Sequence, residues 1–174
     1  MTSLYDQSVP MMIKYLNNAS KILDKTVTFA KDNDKNLDEI LTFRLRDDMR
    51  PLPYQIQSMS DTAKAFASRV LGHPETHYED NETTIPELQE RITKTIKLLE
   101  SVDQTAFDAE KVLKNEIIMK TKAGNFRFEN GQTYLTEFAI PNFHFHFTTA
   151  YCILRHLGVP LGAFDYLDDV FQKV

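Results

Sequence analysis

Two histidines separated by a single residue, His144 and His146, stand in the stretch PNFHFHFTTAYCILRHLGVPLG, residues 141–162. Three of the chain's five histidines fall there, within its densest aromatic run. Imidazole ligates metals and moves protons near neutral pH, so what matters is which ring nitrogens can share a site. The stretch has helical periodicity, and at ~100° per residue His144 points about 160° away from His146. An H-x-H pair on a regular helix therefore cannot chelate one metal; two helical ligands need a spacing of three or four. Asn142 and His146 have that spacing, although a neutral carboxamide is a poor zinc ligand.

Leu135, Phe138, Asn142, His146, Thr149 and Ile153 share one helical face, apolar at its ends and polar in its middle. His146 on that face has two readings. It is a core histidine bonded to Asn142, Thr149 or a neighbouring helix, or it is a ligand or general base. His144 lies near Thr148, Tyr151 and Arg155, a more solvated side, and His156 is also expected at the surface. His73 and His77 sit in a loop beside acidic groups and are expected to be solvated. Cys152, inside the helix and far from any helix amino terminus, reads as inert packing. Pro141 removes an N–H and leaves the carbonyl near Glu137 without its usual partner, so a kink is expected one residue before Asn142.

These groups must be positioned by long amphipathic segments. A first helix is expected over Ser3 to Lys31, capped by Ser3 and Asp6, perturbed in its second turn by Pro10, and striped by Val9, Ile13, Leu16, Leu23, Val27 and Ala30. NLDEILTFRL reads as a short helix with a capping box of Asn36 and Glu39. A second long helix spans Tyr54 to Leu71, with Ile56, Met59, Ala63, Phe66 and Val70 on one face and Gly72 as its stop. Thr84 and Glu87 form a capping box ahead of a third, striped by Ile85, Leu88, Ile92, Ile96, Leu99 and Val102. The stretch from Ser101 to Gly131 is less regular, but EIIMKT and NFRFE flanking KAGN read as a small hairpin. A final helix runs from Gln132 to Leu157 and stops at Gly158 and Pro160. The fold class is all-α: a single domain over residues 1–174, a four-helix bundle with a short extra helix and a β-hairpin before the last helix.

Composition narrows the function. A net charge of -5 and the absence of a basic recognition helix argue against nucleic acid as a partner. No run of 18 apolar residues is present, so no membrane span is expected. The start, MTSLYDQSVP, has neither a basic nor an apolar leader region, and one cysteine fits a reducing compartment; a cytoplasmic location is the expectation. Neither a phosphate-binding glycine loop nor a cysteine nucleophile is expected.

MTSLYDQSVP, DMRPLPYQIQ, TTIPELQERITKTIKLLES and IPNFHFHFTTAYCILRHLGVPLG together resemble, over essentially the whole chain, a family catalogued as a domain of unknown function, number nineteen ninety-three. That family is similar to the wider DinB/YfiT superfamily of four-helix bundles, often dimeric and often described as metalloenzymes. The resemblance implies the bundle and a homodimer formed through bundle helices. The superfamily site is a histidine on the second helix plus an H-x-x-x-H pair on the last. Counting back from ILRHLG, His146 matches the second member of the pair and Asn142 replaces the first. YQIQSMSDTAKAFASRV has no histidine, and its nearest candidates are Gln57 and Asp61. The metal triad is therefore read as not retained, and no cofactor is expected. A divalent metal, Zn or Ni, would have only His146 and Asp61. What the resemblance leaves is a polar cluster of Asn142, His146, Gln57 and Asp61, joined by Thr149. Its expected role is to bind a small molecule or to serve a dimeric scaffold or, alternatively, metal-free transferase or isomerase chemistry on a small organic substrate, with His146 as general base oriented by Asn142 or Asp61.

Overall fold

The computed structural model describes residues 3–104, 112 and 114–171. Helix α1 (Leu4–Asp32) starts at the expected cap. Ser3 Oγ accepts from the Asp6 N–H at 3.1 Å, and the Asp6 carboxylate accepts from the Ser3 N–H. Pro10 sits on its exposed side without ending it. Val27, expected in the core stripe, is 37% exposed; Leu23 is buried as expected, and Ile22 and Thr26 are buried beside it. In α2 (Leu37–Thr42) the Asn36 side chain accepts from the Asp38 N–H at 2.9 Å, an Asx-type cap without the reciprocal Glu39 bond that a capping box requires.

Helix α3 (Leu52–Arg69) begins two residues earlier than expected, because Pro51 and Pro53 fit a first turn whose N–H groups need no helical partner. It ends where Gly72 adopts φ +72°, letting the His73 N–H reach the Ala67 carbonyl. Helix α4 (Ile85–Glu100) carries the Thr84–Glu87 capping box and Pro86 in its first turn. Strands β1 (Ile117–Thr121) and β2 (Gly124–Phe128) form the expected antiparallel hairpin, in the register Ile117 with Phe128 and Thr121 with Gly124. Residues 105–111 and 113, within the stretch read as irregular, lie outside the described residues, as do the chain ends.

After the hairpin come a helical turn (Gly131–Thr133), a π-helical segment (Tyr134–Ala139) and α5 (Ile140–His156). The single helix read from the sequence is therefore divided. In the π segment the Ile140 N–H bonds to the Leu135 carbonyl, five residues back. Pro141 cannot donate to Glu137, and the widened turn directly before it relieves the crowding that a regular helix would impose. The kink expected from Pro141 takes this form, upstream of the proline.

Helix α3 packs on both α5 and α4, and α1 packs on α4 and α5, closing the bundle. Leu16, Met59, Phe66, Leu88, Tyr134, Phe143 and Phe147 fill its interior with at most 1% exposure. Gly158 at φ +96° reverses the chain after α5, and a short α6 (Ala163–Tyr166) and a 3-10 turn (Asp168–Val170) fold back onto α1. Asn18 secures them: its Nδ2 donates to the Tyr166 carbonyl, and its Oδ1 accepts from the Asp169 N–H, both at 3.0 Å. Among the described residues no helix is long and apolar enough to cross a membrane.

Candidate functional site

Helices α3 and α5 face each other along two polar contacts. His146 is 9% exposed, and its Nδ1 lies 2.8 Å from Gln55 Oε1. Gln55 Nε2 donates to the Arg50 carbonyl at 2.8 Å, which turns the amide oxygen towards the imidazole. A carbonyl oxygen only accepts, so His146 Nδ1 carries the proton and Nε2 carries the lone pair. Burial disfavours the imidazolium and pushes the pKa of His146 down to about 4. The rings of Tyr54 and Phe145 stand edge-on to the imidazole at 5.9 and 5.1 Å, and both are exposed. One turn earlier on α5, Asn142 Nδ2 lies 2.7 Å from Thr62 Oγ1. The Thr62 hydroxyl donates its one proton to the Ser58 carbonyl, also at 2.7 Å.

The remaining members of the expected cluster are elsewhere. Gln57 Nε2 donates to Glu82 at 2.9 Å, and Asp61 accepts from Arg91 at 2.7 Å and Lys64 at 2.9 Å. Both belong to the α3–α4 side, so the four-residue cluster is split between two faces of α3. Helical geometry gives the reason: Gln55 and Gln57 are separated by about 200°, and only Gln55 can face α5. The Thr149 hydroxyl donates back to the Phe145 carbonyl at 2.8 Å. Gln55 and Thr62 were missed in the sequence, although each flanks the apolar row of α3 on the side of α5.

A second polar group was missed altogether. Arg91 is 2% exposed, buried with Leu88, Ile92 and Thr95 of α4 despite its charge. It donates to Glu82 at 2.8 Å and to the Glu79 carbonyl at 3.2 Å, and pairs with Asp80 at 2.9 Å besides Asp61. Tyr78 covers the group, with Lys64 Nζ 3.6 Å from its ring centroid. Burial opposes ionisation of Glu82, but hydrogen bonds from Arg91 and Gln57 outweigh it and hold the carboxyl below its ordinary range. The acidic connection read as a solvated loop is thus tied down over α3 and α4. A cleft of about 430 Å³ lined by Tyr78, Glu82, Arg91 and Lys94 adjoins it.

His144, expected on a solvated side, is half-buried. Its Nδ1 lies 3.0 Å from the Tyr166 hydroxyl, Tyr15 stands edge-on at 4.5 Å, and burial lowers its pKa. The folded-back C-terminal segment covers it, which α5 periodicity alone could not reveal. Cys152, expected as packing, is exposed and lines an apolar groove of about 340 Å³ with Leu45, His144, Phe145, Thr148 and Thr149. His156 is exposed and stacks on Phe43, while His73 meets Ser101 Oγ at 3.1 Å.

A superfamily-type metal centre does not fit these side chains. His146 offers one imidazole nitrogen, Asn142 a carboxamide, and α3 places Gln55 and Thr62 opposite them. Among the described residues no group of three or more His, Cys, Asp or Glu is arranged to hold a metal ion.

The family model described as "Domain of unknown function (DUF1993)" matches residues 4–167. The chain belongs to this family. It is also 36% identical to a DinB family member protein from Shewanella denitrificans, known from a crystal structure. The match covers 94% of this chain and 91% of that one, with a TM-score of 0.83, so the DinB-like fold is shared. Comparison with curated proteins finds no match.

Proposed function

We propose that this DUF1993 protein is a small-molecule-binding DinB-like bundle whose binding group is the neutral imidazole of His146. One observation carries the reading: Gln55, itself anchored to the Arg50 carbonyl, fixes the proton on His146 Nδ1 and leaves Nε2 as an acceptor. Among the described residues Arg91 Nε is the only fully buried side-chain nitrogen or oxygen with no partner. Nε2, which makes no hydrogen bond, therefore keeps an edge towards solvent, on a ring that Tyr54 and Phe145 flank. A pKa of about 4 favours this role over general-base catalysis, because a base that weak takes little proton density at neutral pH. Nitrogen-15 spectra of the imidazole test it. The Nδ1–H tautomer should persist from pH 8 to 5, and fragments that bind should perturb Nε2. A protonated Nε2, or a pKa near 6.5, would remove the basis for the reading.

A second reading concerns assembly and rests on the exposed face of α5. Phe145 is 59% exposed beside the apolar groove with Leu45 and Cys152, a surface that a second copy could cover. Sedimentation at micromolar concentration should give a dimer that Phe145→Asp converts to monomer. A wild-type monomer would end this reading.

A further inference from the structure

Where α5 faces α3 it carries two fixed acceptors, and their chemistry selects the ligand. Thr62 spends its only hydroxyl proton on the Ser58 carbonyl, so towards Asn142 it can only accept. The Asn142 amide must therefore turn its NH2 to Thr62, and Oδ1 points away from it, with no hydrogen bond of its own. The same logic at Gln55 leaves His146 Nε2 as a lone pair. Asn142 and His146 are four residues apart on the regular part of α5, neighbours on one face of the helix. Two anchors on α3 thus set two adjacent acceptors on α5.

Two acceptors offer nothing to a carboxylate or phosphate, and the donors on the facing helices are engaged elsewhere. The Thr149 hydroxyl is spent on the Phe145 carbonyl, and Gln57, Lys64 and Arg91 belong to the α3–α4 side. Arg50 stands beside these residues, its guanidinium 5.5 Å from the centre of the Tyr54 ring. Its positive charge works against a cationic ligand, and no carboxylate of the Asp61 group faces the two acceptors to offset it. Tyr54 and Phe145 supply apolar edges for a flat body.

We infer that this pair of acceptors takes an uncharged planar compound with two adjacent N–H donors, of the aryl-urea or amino-heterocycle class, one N–H bonding to His146 Nε2 and the other to Asn142 Oδ1. This rests on the small-molecule reading above and narrows it.

Phenylurea, benzamidinium and benzoate are suitable probes, titrated against labelled full-length protein with imidazole nitrogen and backbone amide shifts as readout. Phenylurea should shift His146 Nε2, and Asn142→Leu should weaken it at least five-fold. Thr62→Val frees the Asn142 amide to flip and should also weaken phenylurea while leaving the His146 tautomer unchanged. Thermal melts and amide spectra of both variants check that they fold. Benzamidinium binding more tightly than phenylurea would overturn the uncharged part of the inference. Benzoate binding at His146 as well as phenylurea, or phenylurea indifferent to both variants, would overturn the donor-pair assignment. A different fragment perturbing His146 where phenylurea does not sinks this inference alone. A diverse library with no member perturbing His146 sinks the small-molecule reading with it.

Discussion

At the scale of single residues, His146 couples the fold to pH. Its pKa falls from an ordinary 6.5 to about 4, so the unfolded chain binds the proton more readily than the folded one. Stability from the neutral ring is complete above about pH 6.5 and is lost as pH falls through about 4, a swing of about 3 kcal/mol. Urea denaturation of the wild type and His146→Gln should therefore diverge in slope between pH 6.5 and 4, with the variant losing less stability. Parallel slopes would mean the ring is not held neutral. His144 shifts in the same direction and is common to both proteins, so the difference isolates His146. The sequence placed His146 and Asn142 on one face correctly, because that follows from a spacing of four. It did not choose their partners: YQIQ offers two glutamines, and only the rotational setting of α3 decides between them.

Elements come next, and α3 is a partition with two polar sides. Towards α5 it holds neutral anchors, Gln55 and Thr62; towards α4 it holds Gln57, Asp61 and Lys64 around Arg91. Arg91→Met removes the cation that Glu82, Asp61 and Asp80 share, and is expected to cost about 3 kcal/mol, the low end for a broken buried pair. Asp61 and Asp80 are 44% and 56% exposed and can rehydrate, whereas Glu82 at 11% cannot readily do so. Acid should reduce that cost, since protonating Glu82 removes the charge left unpaired; equal costs at pH 7 and pH 3.5 would contradict the arrangement. Helix positions and caps were legible because Ser3, Thr84 and Gly72 act through local backbone chemistry. Arg91 was not, since its place beside Leu88 and Ile92 resembles an ordinary solvated flank until the 70–84 connection closes over it.

For the whole molecule, closure depends on contacts far apart in sequence. The segment after Gly158 returns across α1, joined by Asn18, by Lys21 to Asp168 and Asp169, and by Lys25 to Asp165. The lysine pairs are largely exposed and contribute little. Asn18 is fully buried and satisfies two backbone groups, so Asn18→Ala should destabilise the protein by about 2 kcal/mol and expose His144. Chemical denaturation measures the first effect, and a rise in the His144 pKa measures the second. The family and its bundle were readable from motifs spread along the chain, but the fate of residues 160–171 was not. They carry no long periodic stripe, and what holds them is a side chain some 150 positions away.

One feature links the hairpin to this architecture. Between Gly131 and Pro141 the chain is one residue too long for a regular helix, and the π segment stores the surplus as a change of phase. Within the segment, Tyr134 and Phe138 are set against Phe128 of the hairpin; downstream, Phe143 and Phe147 seat α5 in the bundle. Removing that one residue would restore an ordinary helical pitch and turn one end against the other by about 100°. The end packed on α3 and α1 would hold, and the hairpin would swing off its aromatic seat. The segment works as a rotary coupling: it lets the hairpin and the His146 site each keep its own alignment on one continuous rod.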